Sequence, residues 1–305
     1  MKSKLLWISY LVAVAIIGAV ILNLGLSFFF GLGNPVIYDD NPLYGYRPLP
    51  NQEMTRFNGK RIKINNLSLR CDSDWDTVKD NKILFLGNSV TYGGSYIDNS
   101  ELFSKLVTKV DTNLISASGG VNGWGINNIH GLLLKNNFYP AKNYVSVLLE
   151  GDFQRGVATI AGNYFSTKKP YSALHEVTNH YLTTYLQSQL GYYTGNFIKD
   201  RRMKKLVQED AMQHLKQIDD TLKSKGFKHL IFISPSAAQV FRKDTIDGNL
   251  KNLAAMYELD FIYLLEEIKD DKLIEKEIYH DTVHLEVKGH KIWAEKMGKY
   301  INNSF

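Results

Sequence analysis

A serine, an aspartate and a histidine are placed along this chain so that together they could carry nucleophilic chemistry. Ser89 stands in the run Gly87-Asn88-Ser89-Val90-Thr91-Tyr92-Gly93, and Asp281 and His284 bound the run Asp281-Thr282-Val283-His284 far downstream. A hydroxyl is a weak nucleophile until a base takes its proton. An imidazole is such a base when a carboxylate holds it in one tautomer and stabilises its protonated form. Ser89 is therefore read as nucleophile, His284 as general base and acid, and Asp281 as the orienting carboxylate. Each motif also has a bland reading, because Gly-x-Ser occurs at many turns for reasons of backbone geometry alone. Their joint occurrence, separated by about the length of one α/β domain, favours chemistry.

Such a serine needs a particular setting. Lys82-Ile83-Leu84-Phe85-Leu86 is an apolar run short enough for a buried strand, and residues 101–110 read as an amphipathic helix. Ser89 then falls at a strand-to-helix turn, where a helix N-terminus offers amides to developing negative charge. Further strands are expected at 113–117, 143–149, 228–234 and 260–264, with helices at 125–136, 202–225, 243–257 and 285–300. This alternation predicts a parallel sheet covered on both faces. Sites in such sheets lie beyond the carboxyl ends of the strands, where Ser89, Gly123, Gly151 and the Asp281 loop all fall.

These blocks resemble those of the SGNH (GDSL-like esterase and lipase) superfamily over roughly residues 82–300. Gly87-Asn88-Ser89 matches its Gly-Asp-Ser block. Gly120-Val121-Asn122-Gly123-Trp124-Gly125 is similar to the second block, with Gly123 as the oxyanion glycine, and Asp281 with His284 matches the last, Leu285 and Gly289-His290 continuing into a terminal helix. The resemblance implies a three-layer α/β/α, flavodoxin-like parallel sheet and an oxyanion hole built on the Ser89 and Gly123 amides. The third block departs from the pattern. Glu150-Gly151-Asp152-Phe153 puts a glycine where the family has an asparagine, so that side-chain donor is lost at Gly151. Asn88, Asn122 and Gln154 are the candidate substrate-binding residues, the last two also as replacement donors. The resemblance implies no cofactor and no metal. A metal site at His280, Asp281, His284 and His290 is the competing reading, without a recognised zinc spacing.

The chain has 305 residues, 44% hydrophobic and 22% charged, with a net charge of +5 and one cysteine, Cys71. These values fit an ordinary globular domain and supply neither a disulfide framework nor the dense basic stripe of a nucleic-acid binder. Arg201, Arg202, Lys204 and Lys205 read as the solvated face of a helix, or as a site for an anionic surface. Lys2 and Lys4 precede an apolar stretch over about residues 5–31, while Asp39 and Asp40 follow it. Its length predicts a retained transmembrane anchor with a cytoplasmic tail and an extracytoplasmic domain, a long cleavable signal peptide being the alternative. Residues 1–33 are thus tail and anchor, 34–80 an extended linker subdomain, and 81–305 the hydrolase-like domain.

Within that domain an insertion at about 154–200 is rich in aromatics: Tyr164, Tyr171, Tyr181, Tyr185, Tyr192 and Tyr193, with His175 and His180. These tyrosines are expected to pack the insertion onto the domain, with a cap lining the site as the alternative reading. The expected activity is that of a serine esterase on acyl, chiefly O-acetyl, esters of cell-envelope polysaccharide. The partners are then an acylated surface glycan and, through the N-terminal helix, the membrane, with no nucleic acid. An O-acetyltransferase using the same triad, or a non-catalytic glycan-binding protein of the same fold, are the alternatives.

Overall fold

Ile83, Leu84, Phe85 and Leu86 are all 0% exposed. A strand apolar on both faces must lie at the centre of a sheet with helices on either side. In the computed structural model this strand is β5 (Lys79–Gly87), in a five-stranded parallel sheet with β6 (Ile115–Ser118), β7 (Ala141–Leu148), β8 (Lys228–Ile233) and β9 (Phe261–Tyr263). The order is β6-β5-β7-β8-β9. The structure describes all residues except 1, 78, 110–112, 137, 159–164, 190–200, 243 and 270.

Two apolar cores cover the two faces. One contains Leu84, Leu86, Tyr144 and Leu148 with residues of α4 (Ile126–Asn136), α6 (Arg201–Ser224) and α8 (Gly248–Met256). The other contains Ile83, Phe85, Val145 and Val147 with α11 (Val287–Ser304) and α9 (Leu264–Ile268). Side chains alternate between the two cores along β5, as the two-residue period of a strand requires. The expected α/β/α sheet is present, and its strands and main helices lie where the sequence placed them to within a few residues.

The expected helix at 101–110 needs correcting. Residues 101–110 do not form one helix. They divide into a 3-10 turn Asn99–Glu101, α3 (Phe103–Leu106) and a 3-10 turn Val107–Lys109, with Leu102 extended between the first two. Asp98 and Glu101 close a capping box on the first turn, and the Phe103 amide donates to His290 Nδ1 at 3.1 Å. The apolar spacing reported burial correctly, but side-chain acceptors capture the amides at the turn starts. The turn beside the nucleophile is instead α2 (Ser89–Tyr92).

Within residues 34–80 lie two antiparallel hairpins, β1 (Tyr38–Asn41) with β2 (Gly45–Pro48) and β3 (Gln52–Arg56) with β4 (Lys60–Ile64). They pack on the sheet. Tyr44, Tyr46, Ile62 and Ile64 are 0% exposed and belong to the same core as Leu84 and Leu86.

α1 (Lys2–Phe30) precedes the hairpins, and its Ser3–Phe30 span is long and apolar enough to cross a membrane, with none of that window buried in the protein. Of the insertion, α5 (Ala173–Gln189) is described, whereas Tyr164, Tyr192 and Tyr193 lie outside the described residues. Tyr171 and Tyr181 are 95% and 74% exposed, so these two do not pack the insertion onto the domain, and Tyr185 is 54% exposed.

Candidate active site

The chain leaves β5 at Gly87 and turns into α2, with Asn88 as its N-cap. Asn88 Oδ1 accepts from the Val90 amide at 2.8 Å, and its Nδ2 donates to Asp152 Oδ2 at 2.6 Å. The same carboxylate oxygen accepts from the Leu149 amide at 2.8 Å. Asp152 is 1% exposed, and burial raises its carboxyl above the usual range against the opposing pull of Arg155 and the two donors. Asn88 is also 1% exposed with both ends of its side chain engaged, which removes it from the substrate-binding candidates. Its work is structural: it ties the turn carrying Ser89 to the third sequence block.

At that turn Ser89 Oγ lies 2.7 Å from His284 Nε2, and His284 Nδ1 lies 2.6 Å from Asp281 Oδ2. The tautomer that satisfies both contacts protonates Nδ1 and leaves Nε2 to accept from the serine hydroxyl. Asp281 Oδ1 accepts from the amides of Val283 and His284, each at 2.9 Å. Burial alone would raise this carboxyl. The two amides and the imidazole outweigh it and hold the group below the ordinary aspartate range. The carboxylate is thereby fixed in position and in charge.

A chain of contacts sets where this acidic loop sits. Residues 280–284 form a tight turn closed by the His280 amide on the His284 carbonyl at 2.8 Å and by a Tyr279–Leu285 bridge. Tyr279 Oη donates to the Pro235 carbonyl at 2.8 Å just past β8, and Trp293 Nε1 of α11 donates to Ser234 Oγ at 2.9 Å. The loop is therefore held at the carboxyl edge of the sheet, where Ser89 arrives from β5.

The second block reaches the same place from β6. The Val121 amide donates to the Gly87 carbonyl at 3.2 Å, and the Asn122 carbonyl accepts from Tyr46 Oη at 2.5 Å. A methyl group on Gly120 would lie 2.6 Å from both Thr91 Cβ and the Tyr92 nitrogen and 2.8 Å from the Asn88 oxygen. Only a glycine lets the loop approach the nucleophile turn so closely. Gly123 adopts φ 78, a left-handed conformation that also suits glycine. Gly151 lies in the 3-10 turn Glu150–Gln154 and is not among the positive-φ residues. Its neighbour Glu150 accepts from Gln239 Nε2 at 2.8 Å and from the Asp247 amide at 2.5 Å, which fastens the third block to the start of α7 (Ala237–Phe241) and α8. Gln154 ends that turn, half-buried.

The competing metal reading meets a different arrangement. His280 Nδ1 pairs with Glu286 Oε1 at 2.8 Å, and its ring stacks on Tyr96 with centroids 4.0 Å apart. His290 is 0% exposed, and burial, aided by the Arg70 charge, pushes its imidazole down to about 3. Among the described residues no group of three His, Cys, Asp or Glu side chains is placed to hold a metal ion.

Sequence reasoning missed Arg70. It is 2% exposed, and its guanidinium donates to the carbonyls of Tyr92 at 2.7 Å and Gly94 at 2.6 Å, to that of Ile97, and through Nε to Asn99 Oδ1 at 2.9 Å. One buried cation thus gathers the loop leaving α2, including the stretch that carries Tyr96 against His280. The only local signal was an arginine beside apolar Leu69, which is too weak to locate four acceptors far along the chain.

No family model and no curated protein matches the sequence. Solved structures do resemble it. An acetyl xylan esterase is 15% identical, with 72% of this chain and 99% of that chain covered and a TM-score of 0.44. The lipase/acylhydrolase from Enterococcus faecalis is 12% identical, covering 73% and 96%, with a TM-score of 0.43. The esterase EstA from Pseudoalteromonas sp. is 11% identical, covering 73% and 98%, also with a TM-score of 0.43. At these identities and TM-scores the likeness carries no further argument, and the site stands on the chain's own geometry: a hydrogen-bonded line from Ser89 through His284 to Asp281 at the carboxyl edge of a five-stranded parallel sheet.

Proposed function

We propose that this protein is a membrane-anchored serine ester hydrolase that removes acyl groups, chiefly O-acetyl groups, from cell-envelope polysaccharide. The observation that carries the chemistry is the 2.7 Å contact of Ser89 Oγ with His284 Nε2, backed at 2.6 Å by Asp281. Ser89 Oγ attacks the ester carbonyl as His284 takes its proton. The new bond joins Oγ to the acyl carbon. When the tetrahedral intermediate collapses, the alkoxy carbon–oxygen bond breaks and His284 returns the proton to the leaving alcohol. Water, activated by the same imidazole, then releases the acid and restores Ser89.

The developing oxyanion falls to the amides of Ser89 and Gly123. As the first residue of α2, Ser89 has no intrahelical acceptor for its N–H. The apolar Ser3–Phe30 helix supports an anchor, and Lys2 and Lys4 before it with Asp39 and Asp40 after it support an extracytoplasmic domain. Envelope glycans are the acylated material that such a domain meets.

The test is a fluorophosphonate label read by mass spectrometry on Ser89, together with acetate release from the native polysaccharide. Rapid labelling of the wild type, and none in Ser89→Ala or His284→Ala, is expected. Equal acetate release by Ser89→Ala would refute the serine mechanism. Acetyl transfer to an added glycan, in place of release to water, would reassign the protein as an O-acetyltransferase with the same three residues.

A further inference from the structure

The foot of α1 is bolted to the domain. Asn23 Oδ1 accepts from the Leu174 amide at 3.1 Å, and the Phe57 amide donates to the Phe30 carbonyl at 3.1 Å. Arg56 donates to the Gly31 carbonyl at 2.7 Å while pairing with Glu176 at 2.5 Å, and the two side chains are 7% and 14% exposed. Glu176 also accepts from the Gly33 amide at 2.5 Å. An anchor fixed in this way presents one defined face of the domain to the bilayer.

The level of that face follows from length. Residues 5–22 are uncharged and end at Asn23. At about 1.5 Å per residue they extend roughly 27 Å, close to the hydrocarbon thickness of a bilayer. Asn23 then marks the boundary. Phe28, Phe29 and Phe30, which are 84%, 67% and 44% exposed, fall in the head-group layer, where aromatic belts sit. The start of α5, bonded to Asn23, falls at the same depth, and its Val177, Tyr181 and Tyr185 recur at four-residue spacing with 38%, 74% and 54% exposure.

A cleft of about 770 Å³ opens beside these elements. Its lining includes Leu32 and Pro35, directly after α1, Lys168 and Lys169, and Ser95 and Asn122. Asn122 precedes Gly123, and Ser95 belongs to the loop that leaves α2. The cleft is thus lined by the segment that leaves the membrane boundary, by two cations and by residues of the loops beside Ser89.

We propose that this cleft binds the phosphorylated head of a bilayer-resident amphiphile, so that the ester offered to Ser89 is carried on a membrane lipid and not on a finished, released polymer. The assignment rests on the anchored-esterase reading for its link to Ser89. The binding itself does not depend on turnover. The apolar part of such a ligand remains in the membrane against Phe28 and Tyr181, its phosphate meets Lys168 and Lys169, and the group beyond the phosphate extends toward Asn122.

The test uses the full chain in phosphatidylcholine nanodiscs with Tyr181→Trp as a fluorescent reporter in a Trp7→Phe background, since Trp7 of the anchor would otherwise be quenched by any brominated lipid. Brominated phosphatidic acid is compared with brominated phosphatidylcholine at equal mole fraction. Quenching by both is expected, with phosphatidic acid reaching the same quenching at roughly 30-fold lower mole fraction, the worth of two lysines at a membrane surface. Lys168→Glu with Lys169→Glu should abolish that difference. Equal quenching by the two lipids, no quenching by either, or displacement of phosphatidic acid by inorganic phosphate would each overturn the proposal. Serine labelling of the same sample reports separately on the esterase reading, so either can fail while the other stands.

Discussion

Replacing Gly120 by alanine separates the role of the second block from that of the triad. The added methyl would stand 2.6 Å from the Tyr92 nitrogen and Thr91 Cβ, where ordinary contact begins at 3.4 Å, so the loop and the nucleophile turn must part by about 0.8 Å. Neither contact is with the far end of a flexible side chain, which leaves no cheap adjustment. Overpacking of this kind costs about 1–3 kcal/mol of stability, within what a folded domain tolerates. The catalytic cost is larger. A misplacement of about 1 Å between nucleophile and oxyanion donors lowers rates by roughly 100-fold. The assay is kcat/KM on a simple acetyl ester, with a urea melt to confirm folding and Gly156→Ala, whose methyl meets nothing within 4 Å, as control. Folded Gly120→Ala protein with wild-type turnover would refute the claim that this close approach positions the site.

Arg70→Lys keeps the charge but cannot reach Tyr92, Gly94, Ile97 and Asn99 together. A loss of about 2–4 kcal/mol in urea unfolding is expected, with turnover falling further than stability explains, and an unchanged urea midpoint would show that the guanidinium is dispensable. Asp281→Asn removes a carboxylate held below its ordinary range. A lowered folded-state value contributes stability above the unfolded-state value of about 3.9, and that contribution is lost as pH falls through the folded one. The wild type should therefore be the more stable at pH 7, with the gap narrowing as pH falls below the unfolded-state value and on through the lower folded one, and a pH-independent gap in chemical denaturation would contradict this. Gly151→Asn restores a side-chain donor where the backbone φ is not positive, and it should raise acetyl-ester turnover by up to about 100-fold, the worth of one oxyanion donor. Unchanged turnover in a folded variant would mean that another group already serves.

Much of this was legible because it is local. The run from Lys82 to Leu86 announces a buried strand by apolarity alone, and the ends of α1 and α11 follow from apolar length and from three-to-four-residue spacing. The serine, aspartate and histidine were readable because their types are chemically demanding and their order along the chain is informative. What escaped depends on contacts through space. Nothing near Arg70 reveals that its acceptors lie at Tyr92, Gly94 and Ile97, and nothing near Tyr96 reveals His280. Residues 34–80 read as an extended linker subdomain from their turn signals and alternating runs, but the burial of Tyr44, Tyr46, Ile62 and Ile64 was not legible, because it comes from surfaces supplied by α4 and the central sheet.

The departure in the third block looks different once Asp152 is placed. Gly151 offers no side-chain donor, whereas the next residue occupies a demanding position, buried with its carboxyl raised and bonded to Asn88 and Leu149. A buried carboxylate is costly unless its hydrogen bonds perform a task. Here that task is to clamp the N-cap of the four-residue helix that begins at Ser89. A short helix gains little from its own hydrogen bonds, so its orientation must come from such external ties. Asp152 through Asn88, Arg70 through the Tyr92 carbonyl, and Gly120 through direct contact hold the turn from three sides. The third sequence block thus contributes to this site through the position that Asp152 gives Asn88 and the turn, and not through a side chain at Gly151.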